Sequence, residues 1–100
     1  MRIEQLAPFP FDLVAREMRR YPNAGVMWAQ EEPMNMGAYA HVQPRLESCM
    51  RAEGRAPTGR IPYAGRAPSA ATATGFGDVH AQEQSRLLQE AMDTGFSGTW

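Results

Sequence analysis

Residues 2–32 read RIEQLAPFPFDLVAREMRRYPNAGVMWAQEE, and the way this stretch divides decides the fold. Phe11, Val14, Ala15, Met18 and Tyr21 recur at helical spacing, so Phe11–Tyr21 is expected to be a helix. Asp12 stands in its first turn and Arg19 and Arg20 in its last, the arrangement the helix dipole favours. Pro10 suits a helix start, where its missing N–H costs nothing, and Tyr21-Pro22-Asn23 ends the element. Gly25–Ala29 (GVMWA) is a continuous apolar run, which fits a strand buried on both faces of a parallel sheet. Arg2–Leu6 (RIEQL) has a short alternation and reads as a strand, broken by Pro8 and Pro10 because neither can donate a ladder bond. Strand, helix and strand within about 30 residues make a crossover unit. The class is α/β.

Outward from there, Glu32–Gly37 (EPMNMG) is expected to be a loop at the strand's carboxyl end. Ala38, Val42, Leu46, Cys49 and Met50 form a second helical stripe, with Pro44 inside it expected to kink or interrupt the helix. Arg51–Arg60 is polar and contains Gly and Pro, a solvated connection. Arg60–Ala64 reads as a third strand, near an edge because of Pro62. Gly65–Gly77 reads as a small-residue loop, Asp78 as an N-cap, and Val79, Leu87, Leu88, Ala91 and Met92 lie along a final helix. The expected architecture is about three mostly parallel strands with three helices over residues 1–93, and a flexible Gly/Ser/Thr tail over 94–100.

Composition bounds the function. One hundred residues allow one small domain. A net charge of −1 excludes a polybasic nucleic-acid binder, and all ten basic residues are arginine. The uncharged stretch 67–77 is rich in Ala, Ser, Thr and Gly, too polar for a membrane span. Cys49 is the single cysteine, so no internal disulfide forms, as in a reducing compartment. Leu, Ile, Val and Phe number only 15, below the ~20% typical of a chain that builds its own core.

No constellation of residues makes a convincing catalytic centre. Glu31 and Glu32 stand at a strand's carboxyl end, where open α/β sheets place ligand groups, and paired carboxylates can act as acid and base. Neighbours on a strand point to opposite faces, which favours capping or an interface role instead. The 65–77 loop runs into a helix start but lacks the P-loop lysine and GxGxxG, and Arg66 is the one nearby cation. His41, Cys49 and His80 lack metal-site spacing, and His80 with Glu83 reads as an exposed i,i+3 pair. Met34 and Met36 read as adaptable packing.

Four segments taken together are more specific than any of these. RIEQLAPFPFDLV at 2–14, RYPNAGVMWAQEEPMNMGAY at 20–39, YAGRAPSAATATGF at 63–76 and VHAQEQ at 79–84 resemble the extreme carboxyl end of the decarboxylating component of the 2-oxoglutarate dehydrogenase complex. The resemblance covers roughly residues 2–92. It implies a partial transketolase-type C-terminal domain, its amino-terminal part missing, packed on thiamine-binding domains of the same enzyme and of a homodimer partner. The parent enzyme would decarboxylate 2-oxoglutarate in the tricarboxylic acid cycle and succinylate lipoyl groups, with thiamine diphosphate and Mg²⁺ bound by upstream domains. Its further partners would be the succinyltransferase and lipoamide dehydrogenase components in the mitochondrial matrix, with no nucleic acid and no membrane.

The resemblance also implies limits on the site. No catalytic, cofactor-binding or metal residue is expected in these 100 residues, which would be inactive alone. Glu31, Glu32, Asn35 and Gly37 match the family's EEPxNxG segment, an expected domain interface. In some relatives acetyl-CoA activates through a glutamine matching Gln5 and basic residues just after the proline-rich turn; here those following positions are Asp12 and Leu13. Two alternatives stay open: a stand-alone acyl-CoA or nucleotide module, with Arg2, Gln5 and Arg66 as contacts, and the sister enzyme acting on 2-oxoadipate.

Overall fold

A computed structural model of the chain describes residues 1–55, 60–70 and 77–93. The order is α1 (Phe11–Arg20), β1 (Trp28–Pro33), α2 (Tyr39–Ala52), β2 (Tyr63–Arg66) and α3 (Gly77–Met92). The chain divides into two compact units, one of residues 1–26 and 41–61, the other of 27–40 and the described part of 62–100.

The first unit is helical. Val14 and Met18, one turn apart on α1, are its buried residues, while Phe11 stays 45% exposed. Phe9 is buried and meets the Phe11 ring edge to face at 4.8 Å. On α2, Val42, Leu46 and Cys49 are buried, as their spacing requires. Val42 and Leu46 are at most 2% exposed, so each contributes about 1.5–3 kcal/mol by burial.

The helix runs through Pro44 without the expected interruption. The proline removes one backbone donor, and side chains take up carbonyls beside it. Arg45 Nη1 donates to the His41 carbonyl at 2.6 Å, and Ser48 Oγ to that of Pro44 at 3.0 Å. The helix then stops by a Schellman motif. Gly54 has φ +72°, its N–H bonds the Arg51 carbonyl at 3.1 Å, and the Arg55 N–H reaches back to Met50 at 2.7 Å. The segment expected to be a solvated connection therefore begins as an ordered cap. Arg55 also donates to the Met18 carbonyl at 3.1 Å and to that of Ala24, satisfying acceptors at and beyond the end of α1.

Arg2–Leu6 is not a strand. A strand exists only where its N–H and C=O groups find a ladder partner, and no described segment supplies one. Gln5 instead donates to the Pro8 carbonyl at 3.1 Å, closing a local turn.

Among the described residues the second unit holds a parallel sheet of two strands, where about three are expected in all. Trp28 pairs with Tyr63, Ala29 with Ala64 and Pro33 with Arg66, with an irregularity between Ala29 and Pro33. Both strands lie further along than their sequence signals. The ladder opens where the Trp28 N–H meets the Pro62 carbonyl at 2.9 Å, so Gly25–Met27 stay outside it and Glu31–Pro33 are drawn in. Pro62 takes part through its oxygen, the one group it offers. All four residues of β2 are buried.

Leu87 is the buried residue of α3; Val79, Leu88 and Met92 are 39%, 55% and 84% exposed. Asp78 does not cap this helix. The helix already begins at Gly77, and the Asp78 carboxylate accepts from the adjacent Val79 N–H at 3.0 Å. The expected loop 65–77 gives its first two residues to β2, while 71–76 and the expected tail 94–100 lie outside the described residues.

Candidate site at the carboxyl end of the sheet

The polar residues of the second unit gather where both strands end. Gln30 is buried at 8% exposure in the middle of β1. Its amide nitrogen lies 3.2, 2.9 and 2.8 Å from the carbonyls of Glu32, Pro33 and Met36, and shares its two protons among them. Its oxygen accepts from Trp28 Nε1 at 2.8 Å and from the Tyr39 N–H at 3.1 Å. One neutral side chain thus shapes the turn from β1 into α2. Gly37 completes that turn at φ +64°, where a Cβ would stand 3.1 Å from Glu32 Cβ and 3.2 Å from Gln30 Oε1.

Tyr63 closes the floor. It is fully buried, and its ring packs on Tyr39 with centroids 4.9 Å apart. The hydroxyl lies 2.8 Å from the Arg66 carbonyl and 3.0 Å from that of Glu32, sharing one proton between the two strand ends. Burial pushes the phenol up to about 12, because the phenolate would lose its hydration. The ring occupies the space a side chain at 65 would need, and a Cβ there would also stand 2.8 Å from the Gln30 carbonyl. Only glycine fits at that position.

Arg66, the last residue of β2, is 6% exposed. Its Nη2 lies 3.0 Å from His80 Nδ1 and 3.3 Å from Gln84 Oε1, and its Nε is 3.2 Å from Glu83 Oε2. Gln84 Nε2 in turn donates to Glu31 Oε1 at 3.2 Å. A chain of polar contacts therefore runs from β2 through α3 to β1. Asn35 adds a neutral clamp: its amide donates to the Ser69 carbonyl at 2.8 Å and its oxygen accepts the Ser69 N–H at 3.0 Å.

The expected residues separate in the structure. Glu31, Glu32, Asn35, Gly37 and Arg66 come together at this edge, with both glutamates exposed and making different contacts. Gln5 belongs to the first unit, and its amide is turned onto Pro8. His80 and Glu83 are not the simple exposed pair that their spacing implies, since both converge on Arg66. Gln30 and Tyr63 carry no motif. Their available signals are a glutamine interrupting an apolar strand and a tyrosine two residues before a glycine.

Chemically this edge is built to hold shape. In the helical first unit, burial pushes the Cys49 thiol up and so disfavours a nucleophilic thiolate. Among the described residues no three His, Cys, Asp or Glu side chains converge as a cation site requires.

Most of the chain also matches a known family. The model of the 2-oxoglutarate dehydrogenase C-terminal family covers residues 1–92. The chain belongs to that family. It has relatives among mitochondrial 2-oxoglutarate dehydrogenases, at 49% identity over 90 residues in Caenorhabditis elegans and 41% over 92 in Dictyostelium discoideum. The 2-oxoglutarate dehydrogenase E1 component of Coxiella burnetii is 40% identical over 94 residues. These alignments cover 90%, 92% and 93% of this chain but only 8%, 9% and 10% of the relatives. The chain thus spans about a tenth of the length of the relatives it matches.

Proposed function

We propose that this chain is the carboxyl-terminal part of a thiamine diphosphate-dependent 2-oxoglutarate dehydrogenase of the mitochondrial matrix, with a structural role in an enzyme whose chemistry lies elsewhere. The reading rests on the family match over residues 1–92. The parent reaction is oxidative decarboxylation of 2-oxoglutarate with succinylation of lipoyl groups. The cofactor supplies the carbanion chemistry when bound. What these residues do is hold the ends of a two-stranded sheet in one shape through Gln30, Tyr63 and Arg66.

Glu31, Glu32, Asn35 and Gly37 then form the edge offered to neighbouring thiamine-binding domains and the homodimer partner. Arg66 supports that edge from inside. Gln5, exposed in the first unit, is the candidate contact for an effector. The succinyltransferase and lipoamide dehydrogenase components meet the parent enzyme as a whole.

The experiment is to express the parent polypeptide with and without this segment, then measure 2-oxoglutarate-dependent NADH formation and dimer content by sedimentation. Loss of both on deletion, restored by adding the segment in trans, is the expected outcome. Full activity and a normal dimer without the segment would sink the reading. The purified chain supplied with thiamine diphosphate, Mg²⁺ and 2-oxoglutarate is expected to release no CO₂.

A further inference from the structure

One hydrogen bond in the Arg66 cluster can be made in only one protonation state of a histidine. Arg66 Nη2 lies 3.0 Å from His80 Nδ1. A guanidinium has donors and no acceptor, so Nδ1 must offer a lone pair and the ring proton must sit on Nε2. We propose that His80 is a proton-sensitive latch: neutral, it fastens the amino-terminal half of α3 to the end of β2, and protonated, it lets that half go.

The surroundings give the latch its direction. Protonation turns the acceptor into a second donor and sets an imidazolium beside a guanidinium. Arg66 is the partner that cannot retreat, because its side chain is 7% exposed. His80 lies on an exposed surface and can leave. The charged groups around it come from three elements. β2 contributes Arg66. α3 contributes Glu83, whose Oε2 stays 3.2 Å from Arg66 Nε, and Asp78, whose carboxylate is engaged by the Val79 N–H. β1 contributes Glu31, which reaches the cluster only through the neutral Gln84. Glu83 offsets part of the repulsion but cannot replace the acceptor that Nη2 loses.

Besides His80, this half of the helix is held by the polar contacts of Glu83 and Gln84, with no buried apolar side chain of its own. Residues 77–82 are all exposed, and the buried residue of α3, Leu87, lies two turns beyond His80. The release is therefore confined to the amino-terminal turns, while the Leu87 end stays docked. The inference rests on this geometry and not on the parent enzyme's activity.

The test is amide hydrogen exchange on the full chain at about pH 8 and about pH 5, the interval in which imidazoles change charge, corrected for intrinsic rates. Amides 81–85 are expected to lose protection roughly five-fold relative to 87–92 at the lower pH, the scale of one hydrogen bond. His80→Asn places a non-titrating acceptor near the Nδ1 position and is expected to keep protection equal at both pH values. Equal protection in the unaltered chain, or a pH-dependent loss that persists in His80→Asn, overturns the latch. Should that variant not fold, the ¹⁵N spectrum of His80 in the unaltered chain decides. An unprotonated Nδ1 at about pH 8 supports the proposal, and a protonated Nδ1 in a neutral ring overturns it.

Discussion

Gln30 and Arg66 are the two buried polar or charged residues among those described, and they are held in opposite ways. Gln30 is neutral and finds its partners within nine residues of chain, four of the five on the backbone or the neighbouring indole of its own strand and turn. It shapes one segment. Arg66 carries a charge that the strand itself cannot neutralise, and its partners Glu83, His80 and Gln84 are all supplied by α3. It ties two elements together. A buried amide can be completed by peptide groups of matching polarity, whereas a buried cation also needs an anion and so needs tertiary structure.

The largest expected effect comes from breaking the neutral cluster. Gln30→Leu fills a similar volume but leaves the Tyr39 N–H, the indole N–H and three carbonyls without their partner, at a cost of about 3 kcal/mol in chemical denaturation. Its effect should be the same in low and high salt, and a loss below ~1 kcal/mol would show that water replaces the amide.

Breaking the charged cluster comes next. Arg66→Met is expected to cost about 2 kcal/mol, less than the 3–5 typical of a fully buried pair because Glu83 remains 32% exposed. Adding Glu83→Gln should recover part of that loss. Strict additivity of the two would mean that the ion pair contributes nothing.

Tyr63 links the two clusters, touching the carbonyls of both Glu32 and Arg66. Tyr63→Phe is expected to cost about 1 kcal/mol, one shared hydrogen bond. The same phenol sets an alkaline limit. Its folded value of about 12 lies above the ordinary 10, so the folded state binds the proton more tightly. That stability is fully present below pH 10 and is lost as pH rises from 10 towards about 12. Alkaline titration followed by circular dichroism should show this loss, and Tyr63→Phe should remove it.

The smallest effect is expected from Asn35→Ala, about 0.5–1 kcal/mol, since its paired bonds to Ser69 are exposed and water competes for them. Faster exchange of the Ser69 amide, with the sheet amides unchanged, would mark the clamp as local.

Much of the architecture was legible before any coordinates. The apolar period of 3.6 placed α1 within one residue of its observed end and identified Val14, Met18, Val42, Leu46 and Cys49 as core positions. The strands were less legible, because a strand's limits depend on its partner. RIEQL has the composition of a strand and no described partner, while Glu31–Pro33 has a loop's composition and is drawn into the ladder by β2. The site shows the same division. Glu31, Glu32, Asn35 and Gly37 stand in the EEPxNxG segment beside the carboxyl end of β2, yet the residue that organises the turn next to them, Gln30, lies outside that pattern.

The sequence by itself determined the helices, the α/β class and, through four short segments, the family, because each depends on local spacing or on residues adjacent in the chain. Tertiary structure alone decided the strand limits and register, the satisfaction of a glutamine inside a strand, and the meeting of Arg66 with His80 and Glu83. The register and the Arg66 contacts join segments that lie 14 or more residues apart in the chain, and Gln30 is satisfied only once the turn after its strand has closed around it. No local pattern records a hydrogen bond whose two partners are brought together only by folding.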